Sequence, residues 1–78
     1  MEVQVAKVVD VRGQYCPGPV LRARQEIEGL ESGQVMEVLA TDPAAEPDLK
    51  AWAKWAGHQV LAVHKDDGQL RVLIRKGG

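Results

Sequence analysis

Seventy-eight residues leave room for one domain, because a chain this short hides only about 60% of its unfolded surface and has no spare core to divide; a single domain over residues 1–78 is expected. An apolar share of 45% beside 27% charged residues excludes the charge-rich, apolar-poor mix of disordered chains. Ten basic and eleven acidic side chains, mixed along the chain, give a net charge of -1, which disfavours direct binding to nucleic acid or to an anionic membrane surface.

Val5 to Val11 is rich in β-branched residues and ends at Arg12-Gly13, which reads as a strand of a length that suits burial, running into a turn. From Pro17 to Ile27 the apolar positions Val20, Ala23 and Ile27, and then Leu30, follow helical spacing. Gly29 and Gly33 stop that helix. Val35 to Ala40 is a second strand, broken by Thr41-Asp42-Pro43. A second, short helix follows, with Leu49, Trp52, Ala53 and Ala56 on one face, Pro47 near its start and Gly57 as its stop. Val60 to Lys65 and Leu70 to Arg75 flank Asp67-Gly68, the dipeptide of a tight antiparallel hairpin. The order predicts an α+β fold: a two-layer α/β sandwich, β-α-β-α-β-β, whose mixed four-stranded sheet carries both helices on one face with right-handed crossovers.

Cys16 is the only cysteine, which excludes an intrachain disulfide, a C-x-x-C redox pair and a cysteine-rich zinc site. A reducing compartment follows. The start Met-Glu-Val-Gln-Val has no basic leader, and no segment approaches the ~20 apolar residues of a membrane span, so a cytoplasmic protein is expected. No metal or other cofactor is called for.

The informative stretch is Asp10-Val-Arg-Gly-Gln-Tyr-Cys-Pro-Gly-Pro-Val-Leu, which sets the lone thiol at the opening of a helix. Cys16 is expected as its N-cap, with Pro17 and Pro19 at the first and third helical positions and Gly18 as the donor near the sulfur. Unpaired N–H groups and the positive end of the helix dipole favour the thiolate, the reactive form. Both prolines fix φ in advance, Gly13 permits the preceding turn, and Tyr15 is placed to pack on Val20. The bland reading makes Cys16 a small buried hydrophobe. Arg12, Arg22 and Arg24 bracket the thiol and supply positive potential or dock an acidic partner, although Arg22–Glu26 and Arg24–Glu28 are also ordinary i,i+4 pairs, the reading favoured for Arg24; Arg12, Tyr15 and Arg22 are the candidate partner contacts around the thiol. Trp52 lies at the edge of the apolar helix face and Trp55 well off it, half-packed or exposed to a protein partner. His58 and His64 read as cap or surface residues.

Cys16-Pro17-Gly18-Pro19, together with Asp10, Gly13, Thr41-Asp42-Pro43, Gly57-His58 and the closing Leu73-Ile74-Arg75-Lys76-Gly77-Gly78, resembles the TusA/SirA-like sulfur-carrier family over nearly the whole chain, and its TusA branch most. The resemblance implies that Cys16 carries a persulfide. A cysteine desulfurase or rhodanese-type donor would supply the sulfur, and a downstream acceptor protein would receive it, in the direction of tRNA 2-thiouridine modification. It implies a carrier rather than an independent turnover enzyme. Many relatives have a larger or acidic residue where this chain has Gly18, so a partner contact through that side chain is missing here. Two other readings use the same residues: an interaction domain with an inert Cys16 that binds through the Trp55 side, and a carrier whose Gly77-Gly78 tail becomes a thiocarboxylate.

Overall fold

The computed structural model describes residues 4–15 and 17–77. Its elements are β1 (Val5–Asp10), α1 (Gly18–Ile27), β2 (Val35–Ala40), α2 (Ala45–Ala56), β3 (Gln59–Asp66) and β4 (Gln69–Arg75). The strands lie in the order β1-β2-β4-β3; β1 pairs with β2 in parallel, and the other two pairings are antiparallel. Both helices cover one face of this mixed sheet, as expected. No described helix is long and apolar enough to cross a membrane.

Period-two alternation builds the core from the two central strands. Met36, Val38 and Ala40 of β2 and Leu70, Val72 and Ile74 of β4 point at the helices, where Ala23 and Ile27 of α1 and Leu49 and Ala53 of α2 meet them. Each fully buried large aliphatic side chain in such a layer contributes about 1.5–3 kcal/mol. At the margins of the layer, Lys7 on β1 pairs with Glu26 of α1 at 2.5 Å and Lys65 on β3 with Glu46 of α2 at 2.6 Å.

Two expectations are corrected here. The first strand is not buried: β1 is an edge strand in which only Val9 is inaccessible and Val8 is 55% exposed. Its single neighbour, β2, leaves the other edge to solvent. The second helix is not short, since at 12 residues it exceeds the 10 of α1. It starts at Ala45 because Asp42 turns the chain: the Asp42 carboxylate accepts the Ala44 N–H at 3.0 Å and the Asp42 carbonyl the Ala45 N–H at 3.0 Å. Pro47 then falls within the first turn, where a missing N–H costs nothing. Of the four residues expected on its apolar face, Leu49 and Ala53 are buried, Trp52 is half-buried and Ala56 is exposed.

Helix α2 ends at Gly57, left-handed at φ 82°, and the hairpin turns on Asp67 and Gly68, both at positive φ, as a two-residue turn of this hand requires. After β4 the chain stays attached to the sheet. Lys76 donates to the Gln34 carbonyl and accepts from the Gly33 N–H, each at 2.8 Å, and its ammonium reaches the Leu30 carbonyl at 2.6 Å. The Gly77 N–H is donated to Nδ1 of His58 at 2.9 Å. Gly77 passes so close to α2 that a Cβ there would lie 1.8 Å from the Gly57 carbonyl oxygen.

Candidate functional site

Parallel pairing of β1 with β2 places both strand ends, and the loops that leave them, at one end of the sheet. The loop from β1 to α1 carries the sequence around Cys16, and the loop from β2 to α2 carries Thr41-Asp42-Pro43. Cys16 itself lies outside the described residues; the residues on either side of it, Tyr15 and Pro17, are both exposed.

The loop is built from short hydrogen bonds. Val11, fully buried, extends the parallel ladder by donating its N–H to the Leu39 carbonyl at 2.8 Å. Arg12 folds back on Asp10 in a bidentate pair, Nε to Oδ1 at 2.9 Å and Nη2 to Oδ2 at 2.7 Å, and its own N–H also goes to Oδ1 at 3.1 Å. These bonds, the side-chain ones foremost, hold the Asp10 carboxyl down at about 2, against an ordinary value of 3.8, and push the Arg12 guanidinium up. Gly13 takes φ 84° and donates its N–H to the Thr41 hydroxyl at 2.8 Å, and the Gln14 N–H returns to the Val11 carbonyl at 3.1 Å.

The expected cap is displaced by one residue. Pro17, at φ -92° and ψ 11°, is the N-cap of α1, because its carbonyl accepts the first helical bond, from the Leu21 N–H at 3.0 Å. Gly18 and Pro19 are thus the first and second helical residues, and Pro19 is buried against the core. The Gly18 N–H is donated to the Tyr15 carbonyl at 2.8 Å, and its expected relation to the Cys16 sulfur lies outside the described residues. Tyr15 is 78% exposed and does not pack on Val20 as expected. Among the described residues, a Cβ on Gly18 would meet the Gln14 side chain, its amide oxygen at 3.1 Å and its Cβ at 3.5 Å.

The arginines separate in role. Arg12 is neutralised by Asp10, and Arg22 pairs at 3.4 Å with Glu26, whose carboxyl is kept below its ordinary range chiefly by Lys7 and less by Arg22. The expected Arg24–Glu28 pair does not form among the described residues; Arg24 instead borders an open pocket of about 320 Å³ with Trp52, Trp55 and His58. Trp55 is 89% exposed, which decides between its two expected placements. This pocket lies at the C-terminal ends of both helices, away from the Cys16 loop. His58, stacked at a tilt on Trp52 with ring centroids 5.2 Å apart, is pushed below its ordinary value first by desolvation and then by Lys76. Among the described residues no group of three or more His, Cys, Asp or Glu side chains is arranged to hold a metal.

Sequence reasoning missed the brace formed by Asp10, Arg12 and Thr41. The Asp-x-Arg spacing at a strand end was a usable local signal for the first two. Thr41 had none, because its partner is 28 positions away.

The family profile described as Sulfurtransferase TusA matches residues 7–76. YrkI of Bacillus subtilis is 44% identical over 71 residues, spanning 91% of this chain and 95% of that protein. Sulfur carrier protein TusA of Allochromatium vinosum is 38% identical over 68 residues, spanning 87% and 90%. The crystal structure of a SirA-like protein from Desulfitobacterium hafniense is similar with a TM-score of 0.79 at 34% identity, over 92% of this chain and 99% of that one.

Proposed function

Because this chain belongs to the TusA/SirA-like sulfur-carrier family, we propose that Cys16 is the residue through which it accepts and passes on sulfur. Members of the family act as persulfide carriers between a donor and an acceptor rather than as independently catalytic enzymes. One observation carries the assignment to Cys16: the only thiol of the chain stands in Cys-Pro-x-Pro, between two exposed residues, directly before the N-cap of α1.

In the proposed step the Cys16 thiolate attacks the terminal sulfur of the donor's persulfide. A new S–S bond forms to Cys16, the donor's own S–S bond breaks, and the donor leaves as a thiolate. An acceptor thiol later removes the terminal sulfur by the same displacement. Pro17 and Pro19 stiffen the approach to the helix, and the positive end of α1 favours both anions. We assign the donor to the cysteine desulfurase or rhodanese class, the final use to tRNA 2-thiouridine and the compartment to the cytoplasm, where a lone thiol stays reduced. Arg24 and Trp55, exposed on the helix side, are the proposed docking contacts for a protein partner.

The tail-carrier reading is disfavoured by the attachment of Gly77, whose N–H is held by His58 and whose Cα lies against Gly57; Gly78 lies outside the described residues. Mass spectrometry after incubation with a cysteine desulfurase and cysteine tests the proposal. One added sulfur on the wild type and none on Cys16→Ser is expected; equal modification of both, or of neither, overturns it.

A further inference from the structure

Resting on the assignment of sulfur transfer to Cys16, we infer that Thr41 is a positioning residue for that step. Its hydroxyl accepts the Gly13 N–H at 2.8 Å across 28 positions of sequence and so ties the loop that carries Cys16 to the end of β2.

Among the described residues, the other bonds of the loop are local or belong to the sheet. The Arg12 N–H goes to Asp10, the Gln14 N–H to Val11 and the Gly18 N–H to Tyr15, all within the loop and its ends, while the Val11 N–H continues the ladder onto Leu39. Among the described residues, Thr41 makes the only side-chain hydrogen bond between this loop and another segment. Its own footing is firm. Ala40 before it is fully buried, and Asp42 after it is 8% exposed and caps the turn into α2. The hydroxyl is therefore suspended between a core strand and a helix start, and it grips Gly13 where the chain takes φ 84°, a conformation that glycine adopts without a steric cost.

Displacement at sulfur needs the thiolate in line with the bond that breaks, so a loop free to wander spends less time in productive geometry. One hydrogen bond of this kind is worth about 1 kcal/mol, which corresponds to a rate effect of roughly five- to tenfold.

Glutathione persulfide serves as the probe, because it needs no protein docking surface. Cys16 thiolate takes its terminal sulfur together with the proton on it, and glutathione leaves as the thiolate; no oxidant enters. Thr41→Val keeps the branched shape and removes the hydroxyl, and Thr41→Ser keeps the hydroxyl. We expect Thr41→Val to load sulfur five- to tenfold more slowly than wild type, Thr41→Ser to load within about twofold of wild type, and the Gly13 amide to exchange with solvent faster in Thr41→Val alone. Equal loading by Thr41→Val, no rescue by Thr41→Ser, or slowed loading with Gly13 exchange unchanged each overturns the inference and leaves the carrier assignment standing. A wild type that takes up no sulfur at all overturns the carrier assignment, and this inference with it.

Discussion

The two ends of the sheet each carry a glycine-containing segment that a sulfur carrier could use, and the fold treats them in opposite ways. At the end where β1 and β2 finish, the described loop residues Arg12, Gly13, Gln14, Tyr15 and Pro17 are exposed, and the Asp10 carboxylate and the Thr41 hydroxyl hold the loop by accepting the Arg12 and Gly13 N–H groups. At the end where β4 finishes, Lys76 and Gly77 are half-buried and held by backbone ladders, a close approach to Gly57 and the His58 ring. A segment that must meet successive partners needs the first arrangement. The second ties Gly77 to His58 and Gly57, which favours the Cys16 loop over the tail as the proposed carrier segment.

Glycine replacement gives the largest contrast between the ends. Gly77→Ala forces a methyl to 1.8 Å from a backbone oxygen that cannot swing away, and overpacking of this kind costs about 3 kcal/mol. Urea unfolding should show that loss, while the folded fraction still loads sulfur on Cys16. Stability equal to wild type would mean that the tail is not docked as described.

Acid gives the next contrast. His58 accepts the Gly77 N–H through Nδ1, which requires the neutral ring. Its folded pKa lies below the ordinary 6.5, chiefly through desolvation and then through Lys76, with Glu28 opposing. The unfolded chain therefore binds the proton first. The contribution of His58 to stability is present in full above pH 6.5, declines as pH falls below it and is gone once pH is under the folded value. Between pH 7.5 and 5.5 the exchange of the Gly77 amide, corrected for its intrinsic pH dependence, should accelerate while that of Gly13 does not. Parallel behaviour of the two amides would remove the distinction between the ends.

Gly18→Ala is the mild counterpart of Gly77→Ala. The new methyl displaces only the end of Gln14, and alanine is the better helix former, so the unfolding midpoint should move by less than about 0.5 kcal/mol. A loss comparable to that of Gly77→Ala would show that the start of α1 is packed more tightly than the geometry allows.

These contrasts also mark what a sequence can and cannot convey. Local patterns carried the element order, the Gly57 stop and the Asp67-Gly68 turn, since each depends on residues within a few positions of one another. The strand order does not follow: nothing inside Val5 to Asp10 says that this strand has one neighbour rather than two, and its length alone suits burial. Tyr15 failed for a related reason, because the cap it was to staple begins one residue later, at Pro17. The need for glycine at 77 and for a hydroxyl at 41 is tertiary, set by Gly57 and Gly13. Cys-Pro-x-Pro was legible throughout, and the carrier assignment still rests on it.

The smallest expected effect belongs to the Asp10–Arg12 pair. Two side-chain hydrogen bonds from Arg12, with its N–H as a third, hold the Asp10 carboxyl at about 2. A carboxylate depressed in the folded state stabilises it fully above the ordinary value of 3.8, and the contribution is lost as pH falls from 3.8 through about 2. Both partners are exposed, and solvent screens such pairs so strongly that the global unfolding curve should barely register the change. The local signal is sharper. In a carbon-detected NMR titration Asp10 should remain ionised at pH 3, and Arg12→Gln should return its midpoint toward 3.8. If the wild-type carboxyl already titrates near 3.8, the Asp10–Arg12 part of the brace at the foot of the Cys16 loop is absent in solution, and the Thr41–Gly13 bond is the part of it that remains.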